Sequence, residues 1–498
     1  GKPDAAIQFD PARPQTVDET TMVIAGTLPL AYMPAATRVA NIGMGSGLTT
    51  HALLAHSGIE KVDTIEIEPA IVTAASGFGD FVARAFDDPR SEIHIEDAKT
   101  YFSLNQSVYD IIIAEPSNPW VSGVSSLFST EFYKTVKRHL EADGLFVQWL
   151  QLYEFDDQLA ASILKALSSN FSDFVIYTTD NSNIIVIAKN EGALASPDWA
   201  VLFEGGMADT LASVNVNSES DLLVRKLVER KSLVDYLDIA AVPTNSDYYP
   251  FVDLNAGKAR FLGSEAGLLV SLSVAPIPLI EMLADDTLSH RQLGYDQALW
   301  RVEMSETARD VHARLVDGEP RAVLSSENPA PEPDLVTKLM QLSFESCALV
   351  ENPARWLSMT NDVMSITLPF LDADHGIEIV SAVAPTGCIA QQEVRSTMWL
   401  DVYRAVARRD ASTMSSSARL VLATETEISP ALRKYLLSTA MLGDVASGKP
   451  EDALVAWNEY AEEAFASGGD LPTFMHLITA TALQSGSGTS KHANAGSP

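Results

Sequence analysis

Short β-branched runs alternate with amphipathic helical runs between residues 38 and 190, and this alternation limits the fold more than any other feature of the chain. It is typical of a parallel sheet covered by helices. The predicted strands are Arg38–Ile42, Val62–Glu66, Glu92–Ile95, Tyr109–Ala114 and Gly144–Trp149. The helices predicted among them are Leu48–His56, Ala70–Ser76, Leu127–Leu140 and Asp157–Asn170.

Two further apolar runs, Phe174–Tyr177 and Ile184–Ala188, are joined by a polar turn that leaves no room for a crossover helix. They predict an antiparallel hairpin. A mostly parallel sheet that ends in such a hairpin is typical of S-adenosylmethionine-binding folds, whereas dinucleotide-binding folds normally continue with a parallel strand. We therefore expect an α/β domain with a Rossmann-like, seven-stranded sheet whose last two strands form the hairpin.

The first predicted strand runs into a glycine-rich turn that reads NIGMGSG at positions 41–47. Glycines let the backbone turn sharply and approach a ligand closely. Gly43, Gly45 and Gly47 form G-x-G-x-G, not the G-x-G-x-x-G of dinucleotide binders, so a nicotinamide or flavin cofactor is less favoured.

Acidic residues follow the next strands. Glu66 ends the second strand, where a carboxylate can accept hydrogen bonds from both hydroxyls of a ribose. Asp97 follows the third strand and can hold an adenine amino group or cap the helix that starts at Ala98, whose small side chain leaves room for the ring. Glu115 follows the fourth strand and should face the reacting part of a ligand, because ligands of open α/β sheets lie beyond the carboxyl ends of the strands.

The chain carries 34 Lys and Arg against 66 Asp and Glu, a formal net charge of −32. This charge argues against a nucleic-acid partner and favours cations, including polyamines, although a solubilising surface explains it equally well. Two cysteines exclude a disulfide framework, and nine histidines show no metal-ligand spacing, so we expect no metal. The most apolar stretch, Leu268–Ile280, is too short to span a membrane.

After about residue 265, helical periodicity replaces the strand signals, for instance in His290–Val316, Leu335–Val350, Glu393–Arg409 and Pro430–Leu442. Between Tyr435 and Phe465 the pattern resembles a helix pair of the tetratricopeptide (TPR) type. We divide the rest of the chain after residues 1–30 into the nucleoside-binding domain (31–265), a helical domain (266–484) and a disordered tail (485–498).

The first half resembles the spermidine synthase (polyamine aminopropyltransferase) family, in particular the branch fused behind a membrane-transporter-like region. The resemblance rests on the following stretches: GKPDA at 1–5, residues 24–34, NIGMGSG at 41–47, IEIEP at 65–69, EDA at 96–98, YDIIIAEPSNPWVSGVSSLF at 109–128, GLFVQWLQLY at 144–153 and TNSDYYP at 244–250. The family is similar in fold to class I methyltransferases. It moves the aminopropyl group of decarboxylated S-adenosylmethionine onto an amine and releases methylthioadenosine.

The resemblance implies that residues 1–30 are the remnant of an N-terminal β-hairpin region. It also implies residue roles. The three glycines, Glu66, Asp97 and Ala98 would bind the nucleoside, and Gln148, Trp149 and Tyr153 would line the acceptor pocket. Glu115 would contact the transferred group. Asn118 stands where the family has the second acid of its D-S-S-D-P loop, the expected base, and an amide cannot take a proton from an ammonium group in that role. Either Glu115 would both contact the transferred group and act as the base, or the acceptor would differ from a primary polyamine.

The leading hypothesis is therefore aminopropyl transfer to an amine or polyamine, with decarboxylated S-adenosylmethionine, or the intact nucleoside, as co-substrate. The alternatives are a methyltransferase and a non-catalytic nucleoside-binding or scaffold module. Other expected partners are a protein on the helical domain and a second copy of the chain in a homodimer. The chain begins at Gly1 rather than Met, so we expect an upstream segment to have been removed. We expect a cytoplasmic protein, with tethering to the inner membrane by that segment as the alternative.

Overall fold

A computed structural model describes residues 5–10, 13–284, 299–317, 353–384, 390–466 and 471–492. These residues form two compact units, the first extending to Val270 and the second starting at Ser271. The predicted helix Leu335–Val350 lies outside the described residues. None of the helices in the described residues combines the length and the apolar character that a membrane span requires.

The first unit is built on one eight-stranded sheet with the strand order β3-β2-β1-β4-β5-β7-β6-β8. Strands β1 to β5 pair in parallel, whereas β7 is antiparallel to both β5 and β6. The strands are β1 (Arg38–Ile42), β2 (Lys61–Glu66), β3 (Ser91–Ile95), β4 (Tyr109–Ala114), β5 (Leu140–Gln151), β6 (Asp173–Asp180), β7 (Asn183–Lys189) and β8 (Lys226–Glu229). The predicted Rossmann-like sheet and its hairpin are confirmed, and β8 adds an antiparallel edge strand beside β6.

The central strands are covered on both faces. Successive side chains of a strand point to opposite faces, and yet Ile111, Ile112 and Ile113 of β4 are all fully buried. Continuous apolar runs of this kind are typical of parallel strands that lie between two layers of helices. The helices up to the second unit are α1 (Val17–Tyr32), α2 (Leu48–Leu53), α3 (Pro69–Ala75), α4 (Ala83–Asp87), α5 (Ala98–Leu104), α6 (Thr130–Arg138), α7 (Asp157–Ser168), α8 (Gly205–Ala212), α9 (Glu219–Leu223), α10 (Arg230–Ile239), α11 (Phe251–Leu262) and α12 (Gly267–Leu272).

Helix α1 occupies much of the region predicted as a β-hairpin remnant. A capping box starts it: the Glu19 amide donates to Thr16 Oγ1 at 3.2 Å, and the Thr16 amide donates to Glu19 Oε2 at 2.7 Å. Its side chains Ile24 and Leu28 are fully buried, and Thr21 bonds Thr179 of β6 through their hydroxyls at 2.7 Å. The structure thus corrects the hairpin prediction, because the cap and the buried face favour a helix here.

In its described residues, the second unit consists of helices joined by loops. After α13 (Leu279–Ala284) and α14 (Trp300–His312), its α-helices are Pro353–Thr367, Ala373–Ala382, Ala390–Arg408, Ala411–Thr424, Pro430–Ala446, Pro450–Ala464 and Thr473–His492. Pro430–Ala446 and Pro450–Ala464 form the predicted pair, joined through Gly448 at φ +71°. Thr473–His492 continues past residue 485, so it includes part of the predicted disordered tail.

Candidate active site

A cavity of about 840 Å³ lies in the first unit, where the carboxyl ends of β1, β2 and β4 meet. Helix α1, the loops after β3 and β5, and the turn between β6 and β7 complete its wall. The predicted site residues that line it are Gly43, Gly45, Glu66, Asp97, Ala98, Glu115, Asn118, Trp149 and Tyr153. Gly47 and Gln148 are not part of the lining.

The glycine-rich turn brings the ends of β1 and β4 together. Gly43 has φ +94°, and a Cβ atom there would lie 2.3 Å from the Glu115 carbonyl oxygen. The Glu115 amide donates to the Ile42 carbonyl at 2.9 Å. No larger residue fits at position 43 unless the backbone moves. Gly47 instead precedes α2 at φ +89°, where a Cβ would approach Met44 Cε to 3.2 Å.

Glu66 is held in place by two backbone amides. Its Oε2 accepts a hydrogen bond from Met44 in the glycine-rich turn, and its Oε1 accepts one from Glu68, both at 2.9 Å. The side chain is only 8% exposed and reaches the cavity from the end of β2. Each carboxylate oxygen has a second lone pair, so the group can still accept hydrogen bonds from a pair of hydroxyls on a ligand.

Asp97 takes the capping role that the sequence allowed. Its Oδ1 accepts hydrogen bonds from the amide and the hydroxyl of Thr100 at 2.9 and 3.1 Å, which starts α5. Asp97 and the buried Ala98 both line the cavity. The cap uses Oδ1 alone and fixes the direction of the carboxylate, so Oδ2 is not engaged by it.

Glu115 and Asn118 lie on the loop after β4. Burial raises the pKa of Glu115 to about 8, and a hydrogen bond from the Thr49 side chain opposes that rise. Asn118 is 5% exposed, and its Nδ2 donates to the Tyr153 hydroxyl at 3.4 Å. The cavity therefore holds a carboxyl group that changes its protonation state near neutral pH, together with an amide and a phenol.

Of the three residues predicted to line the acceptor pocket, Trp149 and Tyr153 line the cavity and Gln148 does not. Trp149 lines the cavity, with its Nε1 donating to Asn183 Oδ1 at 3.0 Å, and Tyr153 lines it beside Trp120. Gln148 is fully buried, and its side-chain amide donates to the carbonyls of Ala114 and Trp149 at 3.2 and 3.0 Å. It ties β4 to β5 rather than facing the cavity, because successive residues of a strand point to opposite faces.

The lining is strongly acidic. Among the residues that the structure describes, the lining contains no Lys, Arg or His. It contains seven carboxyl side chains, which are Asp18, Glu66, Glu68, Glu96, Asp97, Glu115 and Glu154. Arg260 lies outside the lining and places its Nε 3.6 Å from Glu154 Oε2. Asp18 and Glu154 were not among the predicted site residues. The pattern Thr16-x-x-Glu19 signals the start of α1, but only tertiary packing brings Asp18 to the cavity.

The part of the chain that resembles known proteins contains most of the residues that line the cavity. Residues 20–183 match the family model for the spermine/spermidine synthase domain. Polyamine aminopropyltransferases of Caldicellulosiruptor bescii and Moorella thermoacetica are 33% and 34% identical over 144 and 138 residues. These alignments cover 29% and 28% of this chain and 51% and 48% of the relatives, so the chain spans about half the length of the curated relatives it matches.

Among solved structures, the spermidine synthase from Thermotoga maritima matches with 24% identity and a TM-score of 0.30. That match covers 35% of this chain and 60% of the other. The sequence comparisons support the resemblance to the spermidine synthase family. They do not address the membrane-transporter-like region, which stays a prediction.

Proposed function

We propose that this chain transfers the aminopropyl group of decarboxylated S-adenosylmethionine to an amine and releases methylthioadenosine. The observation that carries the proposal is the cavity at the strand ends, whose described lining has seven acidic and no basic side chains, one of the acids being placed to bind a ribose. The match of residues 20–183 to the spermine/spermidine synthase domain supports the same activity.

The nucleoside would lie along the first three strand ends. Gly43 and Gly45 line the cavity and would present the backbone of the turn to it, and Glu66 is already aligned by two amides to accept hydrogen bonds from the ribose hydroxyls. Asp97 caps α5 through Oδ1, and its Oδ2 would accept a hydrogen bond from the adenine amino group. The small side chain of Ala98 would leave space for the adenine ring. These residues would bind and orient the nucleoside without taking part in bond making.

The charge of the cavity favours the decarboxylated nucleoside. Its sulfonium and its propyl ammonium are both cations, and carboxylates can pair with both. Intact S-adenosylmethionine carries an additional carboxylate, for which the described lining offers no basic side chain. An unpaired carboxylate beside Glu115 would be repelled once Glu115 is ionised.

The chemical step needs a proton acceptor. The acceptor ammonium gives a proton to the ionised form of Glu115, and the resulting amine attacks the carbon next to the sulfonium in line with the carbon–sulfur bond. That bond breaks, and its electron pair stays on the sulfur of methylthioadenosine. Glu115 passes its proton to solvent, so one proton is released in each turnover.

The raised pKa of Glu115 suits this role. An alkyl ammonium has a pKa of about 10.4 and an ordinary carboxyl group one of about 4.3. A carboxyl whose pKa is raised to about 8 by burial takes a proton from an ammonium at a smaller free-energy cost. Asn118 cannot act as the base and would instead position the amine together with the Tyr153 hydroxyl.

Methyl transfer from intact S-adenosylmethionine is the second candidate, and Asn118 is the observation that favours it, because methyl transfer does not require the second acid. A cytoplasmic location, a membrane tether, a protein partner and a homodimer also stay predictions.

Product analysis tests the proposal directly. The full chain is incubated with both nucleosides and a mixture of amines, and the products are identified by mass spectrometry. Methylthioadenosine with an aminopropylated amine is the expected result, and product formation should be strongly reduced in Glu115→Gln but not in the surface control Glu141→Gln. S-adenosylhomocysteine with a methylated amine would replace the proposal by methyl transfer. Nucleoside binding without either product would favour the non-catalytic module.

A further inference from the structure

Two groups of histidine and acidic side chains lie close enough to hold a metal ion among the residues that the structure describes. The first group, Asp63, Glu92 and His94, already has a cation. The Lys61 ammonium lies 3.1 Å from Asp63 Oδ1 and 2.7 Å from Glu92 Oε2. A metal ion there would have to displace a lysine, so this group is explained as an ion-pair network.

The second group lies in the helical unit and consists of His312, His375 and Glu378. His312 is the last residue of α14, and the other two lie about one turn apart on the helix Ala373–Ala382. One potential ligand atom from each lies within 4.8 Å of the others. Two imidazoles and a carboxylate form the ligand set of many three-residue zinc sites, which leave a fourth position for water.

The orientation of the side chains fits joint ligation. His312 Nε2 and Glu378 Oε2 form a hydrogen bond at 2.7 Å, which a bound ion would replace, and the two imidazole rings are 4.7 Å apart at 78°. Asp372 caps the second helix through the His375 amide and also places its Oδ2 2.7 Å from His375 Nδ1. A carboxylate that accepts a hydrogen bond from one ring nitrogen of a histidine holds the ring in place and leaves the lone pair on the other nitrogen.

We propose that His312, His375 and Glu378 bind one zinc ion, with Asp372 as the residue that positions His375. Imidazole nitrogens together with a carboxylate suit Zn²⁺ better than Mg²⁺ or Ca²⁺, which prefer oxygen ligands. The site shares no residue with the lining of the cavity at the strand ends and does not depend on the proposed transfer reaction.

The ligands come from two helices, so the ion would link α14 to the helix Ala373–Ala382. An unfolded chain does not hold these three side chains together, and metal binding therefore stabilises the folded unit. The sequence shows no metal-ligand spacing here, because His312 and His375 are far apart along the chain and only the packing of the two helices makes them neighbours.

The test uses the metal-free full chain and ZnCl₂ in competition with a chromophoric chelator. We expect one zinc equivalent that is lost in His375→Gln and in Glu378→Gln but retained in His476→Gln, which removes an exposed histidine of another helix in the same unit. Glu378→Gln keeps a hydrogen-bonding group of the same size beside His312, so loss of binding there does not reflect misfolding. Asp372→Asn should weaken binding by roughly 10–100-fold, the usual effect of losing such a positioning group.

Two additional readouts separate ligation from a structural effect. Co²⁺ in place of zinc should give visible absorption bands in the wild-type chain and in His476→Gln, and the bands should be absent in Glu378→Gln. Zinc should also raise the melting temperature of the wild-type chain more than that of Glu378→Gln. Equal zinc stoichiometry in wild type, His375→Gln and Glu378→Gln, or no bound zinc in the wild type, would overturn the proposal.

Discussion

The two halves of the strand-end cavity are built differently. The nucleoside half, which consists of Gly43, Gly45, Glu66, Asp97 and Ala98, is fixed by backbone hydrogen bonds: amides hold both oxygens of Glu66, and Asp97 caps α5. The transfer half consists of Glu115, Asn118, Trp149, Tyr153 and Glu154. There, Glu115 has a pKa raised by burial and a side-chain hydrogen bond with Thr49.

This difference separates positioning from proton transfer. A carboxylate held by two backbone amides is suited to bind a ligand in one orientation, because its own position is fixed before binding. A buried carboxyl with a pKa of about 8 can gain and lose a proton at neutral pH. Changes in the nucleoside half should therefore reduce affinity, and changes at Glu115 should reduce turnover.

The largest expected effect is on turnover, in Glu115→Gln. The amide preserves size but cannot accept the proton, so kcat should fall by about 10²–10⁴-fold. The affinity for methylthioadenosine, which carries no positive charge, should stay within about threefold of wild type. Steady-state kinetics and calorimetry on the same preparation measure both. A kcat within a factor of two of the Glu141→Gln control would remove Glu115 from the chemistry.

Gly43→Ala should disrupt both halves at once. The added Cβ would lie 2.3 Å from the Glu115 carbonyl oxygen at a backbone φ of +94°. We expect a loss of about 2–4 kcal/mol in the free energy of unfolding and a loss of nucleoside binding. Gly77→Ala is the matched control, since its Cβ would meet no atom within 4 Å. Denaturant titration of both variants would show whether the close approach of β1 and β4 is as tight as described.

A smaller effect, confined to affinity, is expected for Glu66→Gln. The amide loses the charge that strengthens hydrogen bonds to ribose hydroxyls, which corresponds to about 1.5–3 kcal/mol of binding free energy. Glu60→Gln, an exposed acid near the opposite end of β2, serves as the control. If Glu66→Gln lowered kcat while leaving the affinity for nucleoside unchanged, the assignment of Glu66 to binding would be wrong.

The smallest effect concerns pH. Below a pH of about 8 the Glu115 carboxyl of the free protein is protonated and neutral, so it attracts a cation less strongly. Affinity for decarboxylated S-adenosylmethionine should therefore rise with pH, by at most about tenfold per unit, and level off above about 8.

The free energy of unfolding should change with pH in the opposite direction. In the unfolded chain this carboxyl has its ordinary pKa of 4.5, and in the folded chain its pKa is about 8. The contribution of Glu115 to the free energy of unfolding is therefore fully present below pH 4.5 and is lost as the pH rises through about 8.

Glu115→Gln should remove the Glu115 contribution to both pH profiles. Calorimetry in buffers of different ionisation enthalpy should also show proton release on binding for the wild type. Identical affinity of the wild-type chain at pH 6 and pH 9 would contradict the raised pKa.

The fold was predictable where local pattern and tertiary packing agree. The apolar runs of β1 and β4 gave the correct strand bounds, and the polar turn after Tyr177 gave the hairpin. β8 has only four residues, of which two are buried, and so it produces no periodicity that separates it from a loop. Helix α1 was not predicted from the sequence, although its capping box and its buried face account for it in the structure.

The site was predictable where a residue stands at the end of a strand. Glu66 and Glu115 lie there, and both line the cavity. Gln148 lies within β5, where neighbouring residues point to opposite faces of the sheet. Trp149 therefore lines the cavity, whereas Gln148 does not and donates to the Ala114 carbonyl of β4. Asp18 could not be found from the sequence, because its place in the lining depends on how α1 packs against the sheet.

The central claim is that the acidic cavity selects a cationic nucleoside, and the most direct measurement compares the affinities of decarboxylated and intact S-adenosylmethionine at pH 8.5 by calorimetry. The account predicts that the decarboxylated nucleoside binds at least about tenfold more tightly, or about 1.4 kcal/mol, and that Glu115→Gln narrows this difference. Equal or tighter binding of the intact nucleoside to the wild-type chain would contradict it.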